Sequence, residues 1–180
     1  GIYRTGLIEW PVRYFGVEPD SVSFVPLQET RSMTLSQILK EHPKGVEYGS
    51  ILEGKTIHPL LTDSKGSVLS YPPIINSADI GAVQVDDSEV FIEVTGTDYP
   101  SVALSASIMA CDFYDIGFEI ANVRVDYEYD SPFGSSVIFP YYFQNKVTLS
   151  LIEANRLLGD SIDLKKAQDA LARMGLGAYC

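Results

Sequence analysis

Cysteine and histidine are scarce in this sequence, and their scarcity excludes several kinds of site. The 180 residues include two cysteines and two histidines. Two cysteines cannot build a disulfide framework and are typical of a reducing compartment. His42 and His58 lack a second histidine or cysteine at ligand spacing, so we expect no metal site. Because both histidines lie beside prolines, a Ser-His-Asp catalytic arrangement is also disfavoured.

Basic residues and long apolar runs are scarce as well. Hydrophobic residues make up 46% of the chain, which predicts a folded globular domain, yet no apolar run approaches the roughly 18 residues that cross a bilayer. Thirteen Lys and Arg against 24 Asp and Glu give a net charge of −11. Between Lys65 and Lys146 the only basic residue is Arg124. Phosphates are held mainly by lysine and arginine, so another part of a complex must hold most of any RNA, and neither DNA nor a membrane is an expected partner.

Local patterns in the first half predict short strands, turns and one short helix. Thr34-Leu35-Ser36-Gln37 is a capping-box pattern for a helix that His42-Pro43-Lys44-Gly45 should end. Asp63-Ser64-Lys65-Gly66 has the composition of a tight turn and predicts a hairpin. Tyr71-Pro72-Pro73 should form a rigid extended loop, because neither proline can donate to a sheet.

Residues 90–95 are the clearest strand, and they place Glu93 on the same face as Phe91 and Thr95. The pattern alone leaves two interpretations open. A solvated glutamate on a strand face is the simpler one, whereas a carboxylate that accepts a hydrogen bond in a half-apolar pocket is the functional one. Asn76 is likewise either an ordinary turn residue or a polar group that lines a site.

Helices dominate the remainder, so the predicted fold class is α+β. Asp98 should cap a long helix that Gly117 ends, and Cys111 within it should be a small core residue. A strand from residue 118 onward should pair with residues 136–139 after a turn. Beyond Thr148, two short helices follow, and by themselves they are too small to be a stable domain.

Three stretches carry a resemblance to a known family. They are Ser70-Tyr71-Pro72-Pro73-Ile74-Ile75-Asn76-Ser77, Val90-Phe91-Ile92-Glu93-Val94-Thr95-Gly96-Thr97-Asp98 and Ala154-Asn155-Arg156-Leu157-Leu158-Gly159. The first two resemble the editing region of the phenylalanyl-tRNA synthetase beta chain of archaeal and eukaryotic type. The third resembles the start of the small helical, DNA-binding-like module that follows it. The resemblance implies a β-rich tRNA-editing domain at residues 1–146, without its upstream part, and the beginning of a truncated helical module at residues 147–180.

In that family the module hydrolyses tyrosine wrongly attached to the phenylalanine tRNA, so the resemblance implies an aminoacyl-tRNA ester hydrolase. A site that selects phenylalanine excludes tyrosine imperfectly, and a second site should therefore read the phenolic hydroxyl. A carboxylate in an apolar pocket suits this task, because phenylalanine would leave it unpaired at a cost of about 1–3 kcal/mol. Glu93 becomes the expected tyrosine reader, with Phe91 packing the ring and Ser70 as a further substrate-binding residue.

For the hydrolysis itself, the resemblance implies a positioned water and no covalent enzyme intermediate. Asn76, Thr95, Gly96 and Thr97 are the residues expected to position the water or line the site. No cofactor is expected in these residues, whereas the parent synthetase uses ATP and magnesium at a synthetic site on its alpha chain. The resemblance further implies a cytoplasmic complex of two alpha and two beta chains, which receives the 3′ end of phenylalanine tRNA carrying tyrosine.

One motif departs from the family pattern. Near the start, where a Gly-x-His-Asp-Leu-like motif is expected, this chain has Gly1-Ile2-Tyr3-Arg4-Thr5. The departure favours an alternative hypothesis, in which the chain is a non-catalytic structural or interaction module that has kept the fold and lost editing. Replacing Glu93 distinguishes the two, since discrimination should depend on Glu93 only in an editing enzyme.

Overall fold

The computed structural model describes residues 1–143 and 146–179, and these residues form the α+β fold that the sequence predicts. The chain divides into two compact units, Gly1–Tyr142 and Phe143–Cys180. The domains predicted from the sequence divide at a slightly later position, between residues 146 and 147. Within the described part of the chain, no helix is both long enough and apolar enough to cross a membrane.

Antiparallel strands build most of the first unit. Its strands are β1 Ile2–Arg4, β2 Arg13–Val17, β3 Ser23–Phe24, β4 Met33–Thr34, β5 His58–Thr62, β6 Val68–Tyr71, β7 Ile75–Asn76, β8 Val90–Ile92, β9 Val123–Ser131 and β10 Gly134–Phe139. Four of them form a sheet in the order β2-β5-β6-β7, and β1-β8, β3-β4 and β9-β10 form separate pairs. Its helices are α1 Leu35–Glu41, α2 Pro43–Tyr48 and α3 Tyr99–Asp115, with 3₁₀ turns at Thr5–Leu7 and Gly49–Leu52.

The four-stranded sheet contributes to two hydrophobic cores, because successive residues of a strand point to opposite faces. Leu60 of β5 packs in one core with Leu35 and Ile38 of α1. The next residue, Leu61, packs in the other core with Tyr3 of β1. All five side chains are buried. The second core therefore holds the β1-β8 pair against the sheet.

Two helices lie where the sequence predicts one. The predicted capping box is confirmed: Thr34 Oγ1 accepts from Gln37 N at 3.2 Å, and Gln37 Oε1 accepts from Thr34 N at 2.9 Å. Helix α1 ends before His42, which confirms the predicted stop, but Pro43 at once begins α2, a second short helix that the local pattern does not predict. Proline fits the first helical position, where an N–H would have no helical partner, and His42 Nδ1 accepts from Lys44 N at 3.1 Å.

The diproline forms a tight turn, so the predicted extended loop is wrong. Ile74 N donates to Tyr71 O at 2.7 Å, and the Pro72–Pro73 peptide is cis. The chain turns back at once, and β7 pairs with β6 so that Asn76 lies opposite Ser70. The two prolines occupy the turn, where no ladder hydrogen bond is required of them.

The hairpin predicted around Asp63 is confirmed, and its turn is organised by that buried carboxylate. Asp63 accepts hydrogen bonds from the backbone N–H groups of Ser67 at 2.8 Å, Lys65 at 3.0 Å and Glu9 at 3.3 Å. Burial alone would raise the pKa of Asp63, but these donors outweigh burial and hold the pKa below its usual value.

The strand around Glu93 is shorter than predicted, and the helix after it matches its prediction. Strand β8 ends at Ile92, although Glu93 N still donates to Gly1 O at 3.0 Å. Asp98 caps α3 by accepting from Ser101 N at 3.0 Å, and Gly117 follows the helix with φ 100°. Residues 93–98 therefore form a polar loop between the end of β8 and the start of α3.

Cys111 is exposed, so its predicted core position is wrong. Ala103 is the one buried residue of α3 in the described structure. The other cysteine, Cys180, lies outside the described residues.

The pairing predicted for the later strands is confirmed, but β9 begins at Val123 and not at residue 118 as predicted. Strands β9 and β10 pair antiparallel. The second unit contains α4 Leu151–Leu158 and α5 Leu164–Arg173, the two short helices expected there. Ser150 and Asp163 cap them, and Gly159 takes a left-handed conformation with φ 67° where α4 ends.

Candidate functional site

A pocket of about 400 Å³ opens beside the β1-β8 pair. Its walls come from β1, the segment from β6 to β7, the residues after β8, and one side of α3. The lining residues with polar or polarisable side chains include Tyr3, Ser70, Asn76, Glu93, Thr95 and Met109. Pockets of roughly 300–1,000 Å³ that are apolar with a few polar groups are typical small-molecule sites.

A hydrogen-bonded chain of three side chains crosses the floor of this pocket. Tyr3 Oη lies 2.8 Å from Ser70 Oγ and 3.0 Å from Glu93 Oε2. A phenol has one proton, and an ionised carboxylate can only accept. The phenol of Tyr3 therefore donates to Glu93, and the hydroxyl of Ser70 can donate to the phenol oxygen. The chain runs from Ser70 through Tyr3 to Glu93.

Glu93 ends this chain with one oxygen unused. Its side chain is 13% exposed, and Oε1 is buried with no hydrogen-bond partner among residues 1–143 and 146–179. A buried acceptor without a donor costs about 1–3 kcal/mol, and more when it is charged. Glu93 is thus a largely desolvated acceptor in the pocket wall.

The surroundings of Tyr3 keep its phenol protonated. Burial, and after it the nearby Glu93 carboxylate, raise the pKa of Tyr3 well above its usual value. The phenol therefore stays neutral in the physiological range and remains a donor. Because Tyr3 is fully buried, this donor is built into the core and does not sample solvent.

Four of the residues expected in the site line this one pocket. Glu93 and Thr95 reach it from the segment after β8, and Ser70 and Asn76 reach it from β6 and β7. Asn76 Nδ2 donates to Ile2 O at 3.3 Å, so its amide nitrogen ties β7 to β1. The strand pairing that places Asn76 opposite Ser70 is what brings these groups together.

The other three expected residues lie outside the pocket lining. The ring of Phe91 packs against Tyr3 at 5.8 Å and edge-on against Trp10 at 5.2 Å, in the core beneath the pocket. Gly96 approaches Val102 so closely that a Cβ would lie 2.7 Å from its Cγ2. Thr97 is exposed in the loop before α3.

Tyr3 is the site residue that the local patterns miss. It lies 90 positions from Glu93 in the chain, and the β1-β8 register sets it opposite Phe91, two residues before Glu93. The departure at Gly1-Ile2-Tyr3-Arg4-Thr5 does mark this position, because Tyr3 stands where the family motif has a histidine. No periodicity within β1 could reveal which strand it pairs with.

The two histidines have structural partners. His42 caps α2, and His58 Nδ1 lies 2.5 Å from Tyr71 Oη while its Nε2 lies 3.1 Å from Lys55 O. Among the described residues, no group of three or more His, Cys, Asp or Glu side chains is arranged to hold a metal ion.

The fold and the pocket define a class of protein: an α+β module with a pocket whose wall holds a largely desolvated carboxylate. No protein-family model matches the chain. Curated relatives do: phenylalanine–tRNA ligase beta subunits from Borrelia hermsii, 45% identical over 179 residues, and from Borreliella afzelii, 41% identical over 182 residues. Each alignment covers 99% of this chain and 32% of the relative.

A solved structure agrees with these relatives. An N-terminal fragment of the phenylalanyl-tRNA synthetase beta subunit from Pyrococcus horikoshii matches 97% of this chain and 48% of its own length, with a TM-score of 0.84 and 35% identity. This chain is therefore homologous, over nearly all of its length, to a segment of the phenylalanine–tRNA ligase beta subunit. It spans about a third of the length of the curated relatives it matches.

Proposed function

We propose that this chain is the post-transfer editing module of a phenylalanine–tRNA ligase beta subunit, which hydrolyses tyrosine mischarged onto phenylalanine tRNA. The observation that carries the proposal is the Glu93 carboxylate in the pocket wall, 13% exposed and with one oxygen, Oε1, unpaired among the described residues. Homology to beta subunits supports the setting, and the pocket supports the chemistry.

Glu93 reads the one group that distinguishes tyrosine from phenylalanine. The phenolic hydroxyl of tyrosine donates to the Glu93 carboxylate. Phenylalanine fills the same space with a C–H and leaves the acceptor unpaired, at a cost of about 1–3 kcal/mol, which corresponds to roughly 5- to 150-fold. A site built around a hydrogen-bonding group rejects an analogue that lacks the partner far better than an apolar pocket rejects an added hydroxyl.

Hydrolysis proceeds by attack of water on the ester carbonyl. The bond between the carbonyl carbon and the ribose oxygen breaks, which gives free tyrosine and a terminal ribose hydroxyl. The pocket lining contains no histidine to act as a base for a serine nucleophile, and the hydroxyl of Ser70 is bonded to Tyr3. Asn76 and the exposed Thr95 supply polar groups that line the pocket and can orient the water, with Gly96 and Thr97 on the adjoining loop.

The remaining partners follow from the parent enzyme. We expect an alpha chain that carries the synthetic site with ATP and magnesium, a complex of two alpha and two beta chains, and a cytoplasmic location. The net charge of −11 is compatible with this arrangement, since other parts of the complex would hold the tRNA backbone.

The test is deacylation of tyrosyl and phenylalanyl esters of phenylalanine tRNA by the assembled synthetase. Glu93→Gln keeps the size of the side chain but replaces a charged acceptor with an amide. We expect the preference for the tyrosyl ester to fall by roughly 5- to 150-fold. Glu89→Gln is the matched control, because the same substitution is then made at an exposed position just before β8.

Three outcomes are distinct. Loss of tyrosyl preference in Glu93→Gln alone supports the proposal. Equal preference in all three proteins means that Glu93 does not read the substrate. A wild-type complex that releases neither amino acid supports the alternative of a non-catalytic module.

A further inference from the structure

We infer that Tyr3 is a positioning residue for tyrosine recognition, whose phenol holds Oε2 of Glu93 and fixes the orientation of that carboxylate at the pocket wall. This inference rests on the proposed function and adds to it a residue outside the expected site. Tyr3 contacts Glu93 and Ser70, and it acts by fixing the orientation of the Glu93 carboxylate.

The ring of Tyr3 is a rigid anchor. The residue is fully buried, and its ring packs on Phe91 at 5.8 Å between centroids. Phe91 in turn contacts Trp10 at 5.2 Å. The β1-β8 pairing sets Tyr3 directly opposite Phe91, so backbone and side chain fix the same position. The phenol oxygen therefore cannot follow Glu93 if that carboxylate rotates.

The carboxylate of Glu93 needs such an anchor. The terminal torsion of a glutamate is broad and nearly two-fold, so its two oxygens exchange roles easily. The Tyr3 phenol binds Oε2 at 3.0 Å, and Ser70 supports the phenol from its other side at 2.8 Å. One orientation is selected before the substrate arrives, and preorganisation of this kind lowers the cost of binding.

The phenol of Tyr3 is the hydrogen-bond donor that holds the Glu93 carboxylate. Oε2 accepts from that phenol and lies 3.5 Å from the Gly1 ammonium group, whereas Oε1 is buried and has no hydrogen-bond partner among residues 1–143 and 146–179. Without Tyr3 the carboxylate would lose this donor and keep the ion pair with Gly1, so its orientation would be less restricted.

The test is a double-mutant cycle of Tyr3→Phe and Glu93→Gln in the assembled synthetase, with kcat and KM measured for both esters. Tyr3→Phe should lower the preference for the tyrosyl ester about tenfold, because a small displacement of a recognising group has an effect of this order. Hydrolysis of the phenylalanyl ester should change less than about twofold. In the Glu93→Gln background, Tyr3→Phe should have no further effect on the preference, since coupled residues are not additive.

Tyr127→Phe is the matched control. It removes the same oxygen from another phenol, one that is hydrogen-bonded to Tyr99 Oη at 3.1 Å and is not among the described residues that line the pocket. If Tyr3→Phe does not fold, as near-ultraviolet circular dichroism would show, Ser70→Ala takes its place in the cycle, because it loosens the same phenol.

The outcomes separate this inference from the proposed function. A wild-type preference that Glu93→Gln removes and Tyr3→Phe keeps overturns this inference alone. Equal losses of activity toward both esters in Tyr3→Phe, or additive effects in the cycle, also overturn it, because they indicate a purely structural role. A wild-type complex without tyrosyl preference overturns both. A selective, non-additive loss supports the positioning role.

Discussion

The burial of Tyr3 against Glu93 can be tested without any substrate, through the stability of the chain in alkali. Burial and the Glu93 carboxylate raise the pKa of Tyr3 above its usual value of about 10. A group whose pKa is raised by folding contributes stability that is fully present below its unfolded pKa and is lost as the pH rises. Above pH 10, the unfolded chain ionises this phenol while the folded chain keeps it neutral, so the free energy of unfolding falls by about 1.4 kcal/mol per pH unit on account of Tyr3.

Tyr3→Phe removes this pH-dependent contribution to the free energy of unfolding. At pH 7 the variant should be less stable by about 1–3 kcal/mol, because Ser70 Oγ and Glu93 Oε2 lose their shared partner in a buried site. Above pH 10 the difference between variant and wild type should shrink by about 1.4 kcal/mol per pH unit, and by pH 11.5 it should have shrunk by about 2 kcal/mol. Other tyrosines contribute equally to both proteins and cancel.

The assay is urea denaturation followed by circular dichroism at several pH values between 7 and 11.5. Ser70→Ala is the control, because it lowers stability at the same place but keeps the titrating phenol. Its difference from wild type should therefore stay nearly constant with pH. If the difference in free energy of unfolding between Tyr3→Phe and wild type stays constant with pH, this prediction is wrong, because the phenol would then ionise equally readily in the folded and unfolded chains.

Two further predictions concern the scaffold of the site. Asp63→Ala should destabilise the chain by about 2–4 kcal/mol at pH 7, because the β5-β6 turn loses a charged acceptor for three backbone N–H groups. Since folding lowers the pKa of Asp63, its contribution is present above the unfolded pKa of about 3.9 and is lost as the pH falls, so the variant and wild type should converge in acid denaturation curves. Gly45→Ala should cost more than about 3 kcal/mol, because the added Cβ would overlap Ile38 O, and thermal unfolding would show it. A Gly45→Ala protein as stable as wild type would mean that α1 and α2 can move apart freely.

Local chemistry, which acts within about four residues, was sufficient for the elements that carry their own signals. The capping box at Thr34 and Gln37, the cap at Asp98 and the turn at Asp63 each satisfy backbone groups a few positions away, and each is present as the sequence predicts. One element is missed. The helix stops at His42 as predicted, but Pro43 then begins α2, because its missing N–H has no helical role at the first position.

The residues of the candidate site also fall into those that the local sequence indicates and one that it misses. Residues Ser70, Asn76, Glu93 and Thr95 were expected from two short stretches of sequence, and the structure brings them to one pocket. What the local patterns could not supply is Tyr3, because its contact with Glu93 spans 90 positions and depends on the pairing of β1 with β8. Strand pairing is chosen by burial of a shared face and not by either strand alone. Local sequence patterns therefore indicate most of the polar residues of the site, whereas the contact of a buried phenol with Oε2 of Glu93 exists only in the folded chain, because strand pairing brings together residues 90 positions apart.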